Sequence, residues 1–354
     1  MALPLAPARP APSSATTAIH LGRRRRARRR ATALVTLGVI LVALMAAMLL
    51  LGKTIYPVSD VFRVILGETV PGASFTVGSL RIPRMITGVL AGVAFGVAGT
   101  TFQTMLRNPL ASPDVIGITS GASAAAVVSL VVLHASITTT MFAALLVGIA
   151  TAALIYLAAR GGESTGGRLI LIGIGIGAML DAVVSFVIQR AADWDVAVAM
   201  RWLTGSLNGS KWEGLGPLAL AAVILIPLIL LLSRDLRALE LGDASATALG
   251  VRVDRTRLLL IVAAVALACF ATATTGPIAF VAFLAGPIAS RLVGPGTSLT
   301  IPAALMGAVL VLAADLIGQF AFDTTFPVGV ITGVLGAPYL LYLLIRTNRI
   351  GGSS

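Results

Sequence analysis

Ten apolar runs of roughly membrane-spanning length divide this 354-residue chain. They cover residues 31–51, 82–106, 115–134, 140–159, 168–188, 214–232, 258–275, 277–292, 299–320 and 326–346. The first, Ala31 to Leu51, has 21 residues, which make about 31 Å of helix at ~1.5 Å per residue, enough to cross the hydrocarbon. Inside lipid every backbone N–H and C=O must find its partner within the protein, so such runs fold as helices. The expectation is an all-α integral membrane protein, a bundle of about ten transmembrane helices. The run at 277–292 is short and follows Gly276-Pro277, which leaves its ends the least defined. Composition agrees: 57% of residues are hydrophobic and only 11% charged, against about a quarter charged in soluble domains.

The net charge of +12 would suggest nucleic acid in a soluble protein. Here most of it sits in one N-terminal block, R-R-R-R-A-R-R-R at 23–30, and in short loops, while aromatics that could stack on bases make up 5%. No nucleic-acid partner is expected. Residues 1–30 are rich in Pro, Ala and Ser and have no apolar face, so a disordered, basic cytoplasmic tail is predicted. Its arginines suit a topological anchor, a contact with anionic lipid head groups, or both. With both termini inside, nineteen Lys and Arg residues fall on the cytoplasmic side and seven outside, so the positive-inside rule agrees with an even number of spans. Residues 31–350 then form one transmembrane domain of a multi-pass plasma (inner) membrane protein.

Two connections are longer than a hairpin needs. Residues 189–213 lie outside and hold Trp194, Trp202 and Trp212, whose rings suit the membrane interface. Residues 233–257 lie inside, and Leu236, Leu239, Leu241 and Leu249 alternate there with charges, as in short amphipathic helices broken at Gly242 and Gly250. A solvated linker does not need such regular leucines, which favours a docking surface for a soluble partner. Chemistry of its own is hard to find. Gly52-Lys53-Thr54 has the ending of a phosphate-binding loop, but Ala47 stands where its first glycine is required. No Cys/His cluster or protease motif occurs; Cys269, His20 and His134 are isolated. The chain is therefore not expected to be an enzyme or to hold a metal or cofactor. Two carboxylates fall within predicted spans, and an ionised Asp at mid-bilayer costs roughly 3 kcal/mol, so each must face protein or water. Asp315, near the outer end of its helix, suits a structural hydrogen bond. Asp181 follows G-I-G-I-G-A-M-L, which permits either close packing or a lined cavity, so a structural partner and a pathway-lining role both fit.

The stretch Arg81 to Gly121 is the most informative. It opens with R-I-P-R, and its glycines at 88, 92, 96 and 99 recur three or four apart, placing them on one helical face where a neighbouring backbone approaches closely. A proline-bracketed break, R-N-P-L-A-S-P at 107–113, follows, and G-I-T-S-G-A then restarts an apolar run. With L-G-D-A-S-A-T-A-L-G-V at 241–251, T-G-P-I-A-F-V-A-F at 275–283 and F-P-V-G-V-I-T-G-V-L-G-A-P at 326–338, the chain resembles the FecCD-type permease subunits of ABC importers for ferric siderophores, haem and vitamin B12.

The resemblance implies a vitamin B12 permease-like bundle, that of a type II ABC importer. In it two permease subunits surround a pathway, two ATPase subunits dock inside, and an extracytoplasmic binding protein delivers a ferric siderophore. ATP and Mg belong to the ATPase. It places Leu241, Gly242, Asp243, Leu249 and Gly250 in the ATPase-docking loop, and Asn108, Leu110, Ser164 and Thr165 near a cytoplasmic gate. Arg81 and the position of Gln319 match sites where family members carry arginines that meet the binding protein. Gln319 and Gly286-Pro287 depart from the commoner Arg and Pro-His, as in relatives that form one half of a heterodimeric siderophore permease. A heterodimer is therefore expected. The rival reading from another class is an ion-coupled secondary transporter with Asp181 as its coupling carboxylate; haem or a cobalamin as cargo is the alternative within the family.

Overall fold

The computed structural model describes residues 14–351, apart from 53, 115–116, 160–164 and 295. Seven helices are long and apolar enough to cross a membrane, and three further apolar helices are shorter. In chain order the helices are α1 (Ser14–Leu50), α2 (Val58–Ile65), α3 (Ile82–Met105), α4 (Ile118–Val127), α5 (Ile137–Ala159), α6 (Thr165–Arg190) and α7 (Asp193–Leu203). Then come α8 (Trp212–Leu231), α9 (Ser233–Glu240), α10 (Asp243–Ala248), α11 (Val253–Thr275), α12 (Val281–Val293), α13 (Thr300–Phe320) and α14 (Val328–Gly351). A wide turn at Ser74–Arg81 leads into α3, and another at Val128–Val132 extends α4. The ten runs read from hydrophobicity correspond one to one with α1, α3, α4, α5, α6, α8, α11, α12, α13 and α14.

The basic tail departs from expectation. Its first 13 residues lie outside the described region, but 14–30 are helical and continuous with the first span. Ala and Arg are good helix formers, and a span that is already helical removes the cost of nucleation, so the helix propagates back through the arginines.

Helix α3 is the centre of the bundle. It packs on α13, α11, α12 and α8, and Phe95 and Phe102 are fully buried. Lipid tails are as apolar as leucine, so helices associate in a bilayer through close van der Waals fit rather than through the hydrophobic effect. The glycine face supplies that fit. A methyl group on Gly92 would lie 2.5 Å from the Gly307 carbonyl oxygen, and one on Gly96 or Gly99 would run into the carbonyls of Ala303 or Ala282. Helix α1 lies outside α12 and α13, whereas α4, α5 and α6 form a second group beyond α11.

The break before α12 is real and sharp. Gly276 has φ 71° and Phe280 has φ 63°. A left-handed phenylalanine costs about 1–3 kcal/mol and persists only where packing holds it. Gly336 of α14 provides the room, because a side chain there would meet the Phe280 ring.

Candidate functional site

On the side assigned to the cytoplasm, α9 and α10 form a helix–turn–helix. Gly242, at φ 101°, turns the chain between them, in a conformation open to glycine. Helix α10 ends in a Schellman arrangement: the Gly250 N–H donates to the Thr247 carbonyl at 2.9 Å and the Val251 N–H to the Ala246 carbonyl at 3.0 Å. The leucines divide into two pairs. Leu236 and Leu239 are buried in the main core, while Leu241 and Leu249 are 66% and 65% exposed. One pair fixes the motif to the helix bundle and the other leaves an apolar surface uncovered in the single chain. Asp243 pins the motif from below, accepting from Arg257 at 2.9 and 3.0 Å.

The turn after α3 lies beside this motif. Arg107 has φ 50°, and the Asn108 side chain accepts from the Leu110 N–H at 2.9 Å, closing an Asx turn. Leu110 packs against the cluster of Phe283 and Leu284. Arg107 reaches 3.9 Å from Asp243, a half-exposed pair at the limit of ion pairing that contributes about 1 kcal/mol at most. The expected gate residues Asn108 and Leu110 thus stand next to the expected docking loop. Ser164 lies outside the described residues, and Thr165 begins α6.

The device that seals this turn to α12 is not legible in the local sequence. Pro287 has no N–H, so the carbonyl of Phe283, four residues earlier, loses its helical partner. The Gln103 side-chain amide donates to that carbonyl at 2.9 Å and to the Pro109 carbonyl at 3.0 Å. Gly286 leaves room for it, since a methyl group there would strike the Gln103 side-chain amide oxygen and push that side chain out of place. The Gly286-Pro287 pair and Gln103 therefore fit each other. A cavity of about 320 Å³ opens alongside, lined by Thr100, Gln103, Arg107, Glu240, Pro287 and Ser290. Burial raises the Glu240 carboxyl above its ordinary range, against the opposing pull of Arg237. The cavity is where α9, the turn after α3 and α12 meet.

At the end assigned to the outside, Arg81 donates to the carbonyls of Leu49 (2.6 Å), Leu50 (3.2 Å) and Thr54 (2.7 Å), closing the C-terminal end of α1. It also lies over the Tyr56 ring at 5.3 Å. The carbonyls that end a helix lack intrahelical donors, and Arg81 supplies them. Gln319 is likewise committed, donating to Asp315 at 2.8 Å. The strongest charge at this end is internal. Arg84 grips Asp315 with two bonds of 2.8 Å and donates to Asn208 at 3.0 Å. Asp315, 1% exposed, has the structural role its position suggested.

Asp181 sits on an exposed flank of α6, in the single chain, among Ile174, Met179 and Phe186, which are also exposed. Its carbonyl accepts the Ser185 hydroxyl at 2.9 Å. A carboxylate at this depth cannot face hydrocarbon cheaply, so this flank faces protein or water in the working assembly.

Known proteins share this arrangement. The model of the FecCD transport family matches residues 39–346. The ferric enterobactin transport system permease protein FepG of Escherichia coli is 41% identical over 300 residues, 84% of this chain and 91% of that protein. FepD of the same system and organism is 35% identical over 327 residues, 91% of this chain and 97% of that protein. A solved structure described as an inward-facing conformation of a metal-chelate type ABC transporter superposes with a TM-score of 0.79 at 27% identity, covering 88% of this chain and 98% of that one. Helix order, packing and sequence agree, and the chain is a multi-pass permease belonging to the FecCD transport family.

Proposed function

We propose that the chain is one permease subunit of an ATP-driven importer that moves a ferric siderophore from an extracytoplasmic binding protein into the cytoplasm. The observation that carries this reading is the division of the leucines in α9 and α10. Leu236 and Leu239 anchor the motif while Leu241 and Leu249 stay exposed. A groove on a soluble ATPase is the occupant this surface fits. Force delivered there passes to the gate turn through Arg107 and Asp243, and to α12 through Gln103. The permease itself binds no nucleotide; ATP and Mg act in the ATPase subunits.

FepG and FepD are two different permeases named for one transport system, which supports a heterodimer here. The exposed flank of α6 gives the second subunit something to cover, and Asp181 then lines the pathway or its edge. Gln319 and Arg81 are occupied within the chain, so the binding protein meets other outer charges of this subunit and of its partner. The names of FepG and FepD support a ferric siderophore as cargo, with haem and cobalamin as the alternatives to be tested.

Uptake of radiolabelled ferric siderophore into vesicles carrying the complete complex tests the reading. Uptake is expected to stop when the ATPase is inactivated and to survive collapse of the proton gradient. The reverse pattern would support the ion-coupled reading and overturn this one. Titrating the cognate binding protein with ferric siderophore, haem and cobalamin identifies the cargo.

A further inference from the structure

The arginine block at the start of α1 is built into the protein rather than appended to it. Arg29 donates from Nε to the Leu292 carbonyl at 2.9 Å and from its guanidinium to the Arg291 carbonyl at 2.5 Å. These are among the last carbonyls of α12, so Arg29 caps that helix and fixes the rotation of α1 against it.

That fixed rotation sorts the other arginines. Arg23, Arg26 and Arg30 are spaced by three and four residues and share one face; Arg24, Arg25 and Arg28 fall on the opposite side. The first three line a cavity of about 540 Å³ together with Leu34, Gly296 and Thr297. A volume of this order is typical of small-molecule sites. None of the ion pairs among the described residues involves these three arginines. Three guanidiniums converging without a carboxylate between them repel one another, and an anion with several oxygens relieves the repulsion while accepting bidentate bonds.

Depth decides which anion. Arg30 is followed at once by the apolar run that begins at Ala31, so the cavity lies where head groups meet hydrocarbon. Its wall toward the membrane is Leu34. Further along α1, Gly38 has open space beside it and Val42 is exposed, leaving a smooth path for an acyl chain. A free phosphate has no use for that path. We propose that Arg23, Arg26 and Arg30, with the 296–297 loop, form a site for the head group of an anionic phospholipid, whose acyl chain lies along α1. The site is independent of cargo and of ATPase coupling, so its test does not depend on the function proposed above.

The test titrates phosphatidylglycerol into the detergent-purified full-length chain and reads bound lipid by native mass spectrometry. Phosphatidylcholine and inorganic phosphate are titrated in parallel. Two triple variants remove the same charge: Arg23→Gln/Arg26→Gln/Arg30→Gln from the cavity, and Arg24→Gln/Arg25→Gln/Arg28→Gln from the opposite face. With roughly fivefold per arginine at an anionic surface, the cavity triple should bind phosphatidylglycerol at least about tenfold more weakly, and the opposite triple within about twofold of the parent. Melting curves report whether each triple folds, and the single Arg26→Gln variant, expected to lose about fivefold, serves if the cavity triple does not. Equal losses from both faces, equal binding of phosphatidylcholine, or displacement of the lipid by millimolar phosphate would each overturn the proposal.

Discussion

At the residue scale, the buried charges set the conditions for stability. Arg84 and Asp315 lie at the outer end of the central helices, with side chains 21% and 2% exposed. Removing one member strands the other, at a cost of about 3 kcal/mol, near the lower end for buried pairs because Arg84 keeps some contact with water. Asp315→Leu should therefore melt well below the parent in detergent, and Arg84→Met/Asp315→Leu should recover most of the loss. A double variant no more stable than the single one would contradict this. Asp114 offers a test by pH. Its Oδ2 is fully covered and has no hydrogen-bond partner among the described residues, although the residue as a whole is half-buried. Burial pushes the carboxyl from its ordinary 3.8 up to about 7. A folded pKa raised in an acid means that the folded state holds the proton longer. Stability is then greatest below the unfolded pKa and falls as pH rises through the folded one, by at most roughly 4 kcal/mol. Melting temperature should decline between about pH 4 and pH 7, and Asp114→Asn should flatten that decline. An unchanged slope in Asp114→Asn would remove Asp114 as its source.

At the scale of elements, the fit between α3 and α12 is the least replaceable feature. Gln103 repairs the carbonyl that Pro287 exposes, so the two should behave as a unit in a double-mutant cycle. Gln103→Leu orphans the Phe283 carbonyl and should cost about 1–3 kcal/mol. In a Pro287→Ala background, where the helix can close its own bond, the same change should cost much less. Equal costs in both backgrounds would show that the two are independent. Much at this scale was legible from sequence, for physical reasons. Backbone satisfaction in lipid forces apolar runs into helices, so all ten runs were readable. The face of Gly88, Gly92, Gly96 and Gly99 follows from a 3.6-residue period, and Gly242 and Gly250 interrupt a leucine pattern at the turns they make. The partners of those features were not legible. Pro287 announces an orphaned carbonyl, but nothing local says that Gln103, 184 residues earlier, supplies the donor. Arg81 looks exposed because it opens a span; that its guanidinium folds back on the carbonyls of α1 depends on where that helix ends. The helix at residues 14–30 was not legible because composition shows no apolar face there, whereas Arg29 finds protein partners at the end of α12.

At the scale of the whole molecule, the single chain leaves two surfaces that ask for company: the flank of α6 around Asp181, and the leucines of α9 and α10. For the first, Asp181→Asn keeps shape and removes charge. It should change uptake while leaving the yield of folded complex unchanged, and Asp181→Leu should be no less stable than the parent in the isolated chain, where the residue is exposed. Unchanged uptake in both variants would deny Asp181 a place on the pathway. The second surface carries the central claim, that this permease is driven from the cytoplasm through its helix–turn–helix. Leu249→Glu places a charge where an apolar contact is expected, worth about 1–3 kcal/mol of docking, and the exposure of Leu249 leaves the fold within about 0.5 kcal/mol of the parent. The decisive measurement is copurification of the ATPase with Leu249→Glu, taken together with ATP-dependent uptake by the reconstituted complex. The Leu249→Glu chain should insert and melt normally but retain less than about a tenth of the ATPase and of the uptake. Full retention of both in Leu249→Glu would contradict the central claim.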